Sequence, residues 1–232
     1  MNYKLRNKAE YERIYSLSEY NVSTVYEHII RIRERFLKNI EARVLDHGFG
    51  NAVVSEYFQN EGFDVYGVET ATVALDFVNS RSITCAGLKT EQFLILSGES
   101  NKLPFPDEYF GVVVSNQVLF FIGDRKDIDE VIEEFFRVLK PGGKIVCTVM
   151  AENNYLFTNC GVPPVPDSGI VNVRKLGRLT RNWYLYRFHN EDDVRKAFED
   201  VGFSIDDLGY FDYKLLDVTC AKHYIVLAHK PC

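Results

Sequence analysis

The segment Asp46-His-Gly48-Phe-Gly50-Asn-Ala52 places two glycines shortly after a carboxylate. Glycine lets backbone amides approach a ligand closely, and a helix that follows offers the positive end of its dipole. A bare tight turn would use the same glycines. A dinucleotide fingerprint would need a third glycine at position 53, where Val53 stands. The loop therefore suits a close-lying ligand that need not carry a diphosphate.

A second carboxylate, Glu69, ends the next apolar run 21 residues after Gly48. In nucleotide-binding α/β proteins a carboxylate at about this spacing reaches the ribose hydroxyls. A third block, LSGESNKLPFPDEYF, runs from Leu96 to Phe110 and leads into another apolar run. A generic dinucleotide fold does not require this block. The first two signals agree on a ligand that contains a ribose.

Short apolar runs alternate with amphipathic segments along most of the chain. Predicted strands cover 43–46, 64–69, 93–96, 110–114, 144–149, 203–211 and 223–228, and predicted helices cover 25–40, 53–60, 71–79, 128–139 and 190–201. Repeated strand-helix units predict a doubly wound, Rossmann-like α/β fold with helices on both faces of a sheet. We expect seven strands, mostly parallel, with the last one antiparallel. Ligands of such sheets bind at the carboxyl ends of the strands.

The chain is expected to form a single domain, since no linker or internal repeat divides it. Its expected parts are an N-terminal helical lid or cap (1–40), a cofactor-binding core (41–150), a substrate-side insertion (151–188) and a C-terminal helix with a strand pair (189–232). The insertion is longer than an ordinary connection, and long insertions are often functional. Tyr11, Tyr15 and Tyr20 either close over the ligand or pack on the domain.

Composition excludes several classes of protein. The 232 residues are 46% hydrophobic and 26% charged, as in ordinary globular domains. A net charge of −6 lacks the positive excess of a nonspecific nucleic-acid binder. The absence of a long apolar run predicts a cytoplasmic protein with no membrane span. The five cysteines show no C-x-x-C spacing, so neither a disulfide framework nor a metal site is predicted.

Over about residues 40 to 150 the chain resembles the class I S-adenosylmethionine-dependent methyltransferases. The blocks VLDHGFGNA, VYGVETA, SGESNKLPFPDEYFGVVVSNQVL and EEFFRVLKPGGKIV resemble that family's motifs and occur in its order. Departures from the family pattern are Ala52 for the third glycine, Glu99 for aspartate, Ser100 for alanine and Gly111 for aspartate. The resemblance implies a transferase that uses S-adenosylmethionine and releases S-adenosylhomocysteine.

The resemblance also implies which residues bind the cofactor. They are Asp46, Gly48, Phe49, Gly50, Glu69, Thr70, Ala71, Gly98, Glu99, Ser100 and Ser115. Glu69 would accept both ribose hydroxyls, Glu99 would accept the adenine amino group, and Ser115 would face the methionine end. The alternative for the carboxylates is a solvated position at a strand end.

The acceptor is expected to be a small molecule. Ser115-Asn-Gln-Val118 lacks the (D/N/S)-P-P-aromatic motif that similar enzymes use on base or amide nitrogens, so nucleic acid is not an expected partner. Residues 170–188 carry five cations and no acid, interleaved with aromatic residues, a mixture suited to an anionic or sugar-like acceptor. Predicted acceptor-binding residues are Gln117, Arg178, Arg181 and Tyr184. A solvated basic loop is the alternative.

The catalytic residues are left open by the sequence. His189 follows the basic stretch and is a candidate general base, because histidine titrates near neutral pH; a helix-capping or surface role is the alternative. Phe120 and Phe121 either line the acceptor pocket or belong to the core. A noncatalytic protein that binds S-adenosylmethionine or S-adenosylhomocysteine, and an NAD-dependent oxidoreductase, remain alternative functions. Either a monomer or a homodimer is compatible with the sequence.

Overall fold

The computed structural model describes residues 2–17, 24–38, 40–163, 168–175, 181–214 and 219–232. Its helices are α1 (Tyr3–Tyr15), α2 (Glu27–Arg35), α3 (Val53–Asn60), α4 (Ala74–Ser82), α5 (Arg125–Val138), α6 (Tyr155–Cys160) and α7 (Glu191–Glu199). Its strands are β1 (Arg43–His47), β2 (Asp64–Glu69), β3 (Phe93–Ile95), β4 (Phe110–Asn116), β5 (Leu139–Met150), β6 (Gly161–Val162), β7 (Ile170–Lys175), β8 (Arg181–Tyr186), β9 (Ser204–Phe211) and β10 (His223–His229).

The main sheet has seven strands in the order β3-β2-β1-β4-β5-β10-β9. β10 runs antiparallel to both of its neighbours, and the remaining pairs are parallel. This confirms the predicted doubly wound fold with its single antiparallel strand. The bounds of α3 and β2 agree with the predicted 53–60 and 64–69. The Asn190 side chain caps α7, because it accepts from the amide of Asp193 at 2.9 Å.

Helices cover both faces of this sheet, as predicted. Val113 in β4 packs in the core cluster that contains residues of α5 and α7. Its neighbours Val112 and Val114 point the other way, into the cluster that contains residues of α2, α3 and α4. This alternation explains why the strands are apolar along their whole length: both of their faces are buried.

The insertion folds into α6 and a second, antiparallel sheet of order β6-β7-β8, which the sequence analysis did not predict. Its aromatic residues Trp183, Tyr184 and Tyr186 are buried. The buried Asn7 of α1 fastens that helix to β8: its side-chain amide donates to the carbonyl of Tyr184 at 2.7 Å, and its oxygen accepts from the amide of Tyr184 at 3.0 Å.

The predicted division into lid, core, insertion and C-terminal parts stays a prediction. Within the described ranges, no helix combines the length and the apolar character needed to cross a bilayer.

Candidate active site

A cavity of about 310 Å³ opens at the carboxyl edge of the main sheet. Its walls come from α1, the glycine loop after β1, the ends of β2 and β4, the start of β10, and the insertion. Of the predicted cofactor-binding residues, the cavity wall includes Asp46, Gly48, Phe49, Gly50, Glu69 and Thr70. The fold therefore brings the first two sequence motifs to one surface, as expected for a doubly wound sheet.

The glycine loop requires its glycines for two reasons. Gly48 has a φ of +74°, and a Cβ atom added there would lie 2.4 Å from a methyl group of Val118. Gly50 has a φ of +50°, and its added Cβ would lie 2.9 Å from the hydroxyl of Tyr15. Both positions lie in the left-handed region that glycine adopts without strain. Glycine at these two positions therefore lets the loop pack closely against Val118 and Tyr15, which also line the cavity.

The carboxylate of Glu69 is held at the end of β2 by backbone donors. Its Oε1 accepts from the amide of Thr70 at 2.6 Å and from the amide of Ala71 at 3.3 Å. Its Oε2 accepts from the amide of Gly50 at 3.3 Å. Burial raises the pKa of Glu69, and these hydrogen bonds oppose that shift. These hydrogen bonds fix the side chain in place. Oε2 accepts fewer of them than Oε1 does.

Asp46 is buried at the end of β1, beneath the loop. Its Oδ2 accepts from the Ser55 hydroxyl, on α3, at 2.6 Å. Burial raises the pKa of Asp46 to about 7, and the nearby charge of Glu69 acts in the same direction. A cation brought to this wall of the cavity would favour the ionised form.

His47 lines the cavity, but Ser115 is buried behind it. His47 Nδ1 and the Ser115 hydroxyl lie 3.1 Å apart, and burial lowers the pKa of His47 to about 4. Ser115, predicted to face the methionine end of the cofactor, is not part of the cavity wall. Asn116, the next residue of β4, lines the cavity instead, because successive residues of a strand point to opposite faces.

The other predicted cofactor residues are not part of the described cavity wall. Ala71 and Gly98 are buried, and Glu99 and Ser100 are exposed. The hydroxyl of Ser100 accepts from the amide of Lys102 at 3.1 Å. Thr70, the neighbour of Ala71 in the chain, belongs to the wall. The Cγ2 atom of Thr70 lies 4.0 Å from the Cβ position of Gly98.

Helix α1 spans this side of the cavity. Lys8 donates to the carbonyl of Ser97 at 3.3 Å, and Glu12 accepts from the amide of Thr72 at 2.7 Å. Tyr11 and Tyr15 line the cavity, whereas Tyr20 lies outside the described residues. The contacts of α1 therefore reach the loops that follow both β2 and β3.

Aromatic side chains form another part of the cavity wall. Phe121 meets Tyr11 edge-on, with ring centroids 5.1 Å apart, and meets Trp183 in the same way at 5.1 Å. Phe120 is at once a buried core residue and part of the cavity wall. Phe120 therefore both belongs to the core and lines the cavity, the two roles that the sequence left open for it. The predicted Gln117 also lines this part, and its amide donates to the Thr148 hydroxyl at 2.7 Å.

The predicted basic acceptor site is not assembled by the described residues. Arg178 and the side chain of Arg181 lie outside them. Arg174 and Arg187 are exposed, and neither lines the cavity. Tyr184 is buried beneath α1, where its hydroxyl accepts from Arg6 at 3.1 Å. Tyr184 is absent from the described cavity wall because β8 turns it toward α1.

His189, the predicted candidate base, is exposed at the start of α7 and does not line the cavity. A different histidine does: His223, the first residue of β10, is 7% exposed. His223 was not among the site residues predicted from the sequence. The sequence signal that could have found it is a polar residue at the start of an apolar strand. If that strand is antiparallel to its neighbours, its first residue lies at the carboxyl edge of the parallel strands.

The chain is similar to known methyltransferases. A family described as "Methyltransferase domain" matches residues 45–147. The 2-methoxy-6-polyprenyl-1,4-benzoquinol methylase of Xenopus laevis is 29% identical over 119 residues, covering 47% of this chain and 36% of that protein. The ubiquinone/menaquinone biosynthesis C-methyltransferase of Rickettsia massiliae is 25% identical over 202 residues, covering 76% and 73%. The chain spans about a third of the length of the first of these relatives.

Solved structures share the whole fold. A methyltransferase from Methanosarcina mazei, described as S-adenosylmethionine-dependent, superposes with a TM-score of 0.71 at 20% identity, covering 90% of this chain and 99% of that one. The 1,6-didemethyltoxoflavin-N1-methyltransferase of Burkholderia thailandensis, solved with 1,6-didemethyltoxoflavin and S-adenosylhomocysteine, has a TM-score of 0.67 at 13% identity, covering 99% and 87%. At these identities the likeness shows the fold.

Proposed function

We propose that this chain, which belongs to the class I S-adenosylmethionine-dependent methyltransferases, transfers a methyl group to a small planar acceptor. The observation that carries the proposal is the continuity of one cavity. The same space is lined by the glycine loop with Glu69 at one side and by Phe120, Phe121 and Trp183 at the other.

The residues at the first side fit the cofactor. Gly48 and Gly50 line the cavity, so backbone atoms of the glycine loop form part of its wall. Glu69 presents an oriented carboxylate to a ribose, and Asp46 presents a carboxyl group to a cationic portion of the ligand. When bound, S-adenosylmethionine supplies an electrophilic methyl group on a sulfonium. The protein's task is then to align an acceptor lone pair with that methyl group.

The aromatic side of the cavity favours a flat acceptor. Rings that meet edge-on at about 5 Å form walls against which a planar ligand can stack. Two of the relatives are named for benzoquinol and for ubiquinone or menaquinone substrates, which are ring compounds. A hydroquinone-like acceptor is therefore our first choice, ahead of the anionic or sugar-like acceptor that the basic stretch suggested.

In the described part of the cavity wall, lysine side chains of α1 supply positive charge. Lys4 and Lys8 belong to the lining. Lys4 donates to Asn101, and Lys8 donates to the carbonyl of Ser97. Both therefore contact the loop after β3, which the resemblance assigns to the adenine. We propose that they help α1 to cover the cofactor rather than to select an anionic acceptor.

Binding and turnover measurements test the proposal together. Calorimetric titrations with S-adenosylmethionine, S-adenosylhomocysteine and NAD should show binding of the first two at micromolar concentrations and none of NAD. Transfer of a labelled methyl group to a panel of hydroquinones and phenols should then produce S-adenosylhomocysteine. Binding of NAD alone would refute the cofactor assignment. Binding of S-adenosylmethionine without transfer to any acceptor would favour a noncatalytic binding protein.

A further inference from the structure

We propose that His223 is the general base of the acceptor site, and that its Nε2 atom takes a proton from a hydroxyl group of the planar acceptor. The inference rests on the proposed methyl transfer and deepens it, because it names the residue that ionises the acceptor and the kind of acceptor group that it ionises.

The position of His223 in the sheet supports this role. It lies opposite Met150, the last residue of β5, and β5 is the neighbour of β4. Asn116, at the end of β4, lies opposite Thr148. Adjacent strands are about 4.8 Å apart and residues rise about 3.4 Å along a strand, so His223 lies about 12 Å from Asn116. Asn116 and Gln117 line the cavity at that end. Met150, at the end of the intervening β5, also lines the cavity, so these residues face one space.

The tautomer of His223 is set by its hydrogen bond. Its Nδ1 atom lies 2.8 Å from the carbonyl oxygen of Ala221. A carbonyl can only accept, so Nδ1 carries the hydrogen and Nε2 carries the lone pair. Ala221 is itself held in place, because its amide donates to Asp212 at 2.8 Å. Among the described residues, no hydrogen bond reaches Nε2.

Aromatic packing fixes the plane of the imidazole. The ring of Phe211 stacks on it with a centroid distance of 4.9 Å and an interplanar angle of 8°. His28 stacks on the other face of Phe211 at 4.5 Å and 10°. Phe120 lies tilted beside His223, with centroids 6.1 Å apart. The lone pair of Nε2 therefore has one direction, and the residue that carries it lines the cavity.

The imidazole is neutral at neutral pH and can accept a proton. Burial lowers the pKa of His223 to about 4, the nearby His28 acts in the same direction, and Asp212 opposes it. Negative charge that develops on the acceptor during the reaction stabilises the imidazolium. The base is thus strengthened at the moment at which the acceptor needs to lose its proton.

Methyl transfer to the acceptor is coupled to the loss of its hydroxyl proton. The O–H bond of the acceptor breaks, and the proton moves to Nε2. The electron pair that is released forms the new bond from the acceptor to the methyl carbon, while the carbon–sulfur bond breaks and leaves its pair on sulfur. If the new bond forms at a ring carbon, the ring loses its C–H proton and the oxygen regains one. In either case one proton leaves His223 for solvent.

Probe binding tests the inference without turnover. The probe is 4-nitrophenol, titrated into the protein saturated with S-adenosylhomocysteine. His223→Phe keeps a flat ring against Phe211 and removes the lone pair. We expect it to bind the probe at least tenfold more weakly, with the affinity for S-adenosylhomocysteine within threefold of wild type. The matched control is His229→Gln, at the far end of the same strand beside Asp206, which should behave as wild type.

Kinetics distinguish a base from a mere contact. His223→Gln retains an oxygen that can accept a hydrogen bond but cannot take the proton. Its kcat with hydroquinone should fall at least 100-fold, the range for loss of a general base, with a KM within threefold. Its rate should rise about tenfold per pH unit as the acceptor ionises unaided, which a structural defect would not produce.

The inference would be overturned by a wild-type complex that leaves 4-nitrophenol unbound, or by a His223→Phe complex that binds it within twofold of wild type. A His223→Gln enzyme with wild-type kcat would overturn it as well. Failure of S-adenosylhomocysteine to bind the wild-type protein would refute the proposed function instead, so the two failures can be distinguished.

Discussion

Replacing Glu69 by glutamine tests the cofactor side of the cavity with the smallest change in shape. In the native protein Oε1 accepts from the amides of Thr70 and Ala71, and Oε2 accepts from the amide of Gly50. Glutamine has a single acceptor oxygen. We expect that oxygen to take the place of Oε1, where there are more donors, so that the new NH2 group takes the place of Oε2.

The loss in affinity follows from this geometry. Oε2 is the atom with the greater spare capacity for a ribose hydroxyl, and the substitution removes one hydrogen bond to a charged group. Such a bond contributes about 1.5–3 kcal/mol, so S-adenosylhomocysteine should bind about 10- to 150-fold more weakly. The amide of Gly50 would also face a donor, and the free protein should lose about 1–3 kcal/mol of unfolding free energy.

Calorimetric titration with S-adenosylhomocysteine measures the first effect, and urea unfolding measures the second. The control is Glu133→Gln, an exposed position on α5, which should change neither quantity. A Glu69→Gln protein that binds S-adenosylhomocysteine within threefold of wild type would refute the assignment of Glu69 to the ribose.

Three further predictions concern the loop, the helix above it and His223. Gly48→Ala should lower the free energy of unfolding by about 1–2 kcal/mol because of the left-handed backbone, and by about 1–3 kcal/mol more because of its contact with Val118. Adding Val118→Ala should restore the second contribution, as measured by urea unfolding. Additive losses in the double variant would contradict the contact. Asn7→Ala leaves backbone groups of β8 unpaired, so limited proteolysis should cleave α1 faster than in wild type, and an unchanged rate would contradict the attachment. The pKa of His223 is about 6.5 in the unfolded chain and about 4 in the folded protein. Between these two pH values, acidification should therefore destabilise wild type relative to His223→Gln by about 1.4 kcal/mol per pH unit. Parallel curves of stability against pH, measured by urea unfolding, would contradict a buried neutral imidazole.

The main sheet could be predicted from the sequence because its strands are buried on both faces. A run such as the FGVVV of β4 is apolar throughout, and a helix signal or a glycine turn bounds each such run. The order of the motifs then placed Asp46 and Glu69 at one edge of the sheet, where the structure has them.

The insertion could not be predicted in the same way. Its aromatic residues alternate with cations, which suggested a binding surface. In the structure the aromatic side chains of β8 are buried, partly beneath α1, while Arg174 and Arg187 point outward. That arrangement depends on Asn7, which pairs with Tyr184 across 177 positions of the chain. No local pattern encodes a contact of that range.

Histidines illustrate the same limit. His189 was selected because it follows the basic stretch, yet it is exposed outside the cavity wall. His223 reaches the cavity because β10 is inserted antiparallel between β5 and β9. Pairing of β10 in that direction brings its first residue beside the end of β5. The strand was predictable, but the identity of its neighbours was needed to locate the side chain.

A crystal structure of the protein with S-adenosylhomocysteine would show directly whether one cavity holds both the cofactor and the acceptor. We expect the ribose hydroxyls to lie within hydrogen-bond distance of Glu69. We also expect the sulfur to face the space between Phe121 and His223. A ligand bound with its ribose away from Glu69, or with its sulfur closed off from that space, would refute the shared site.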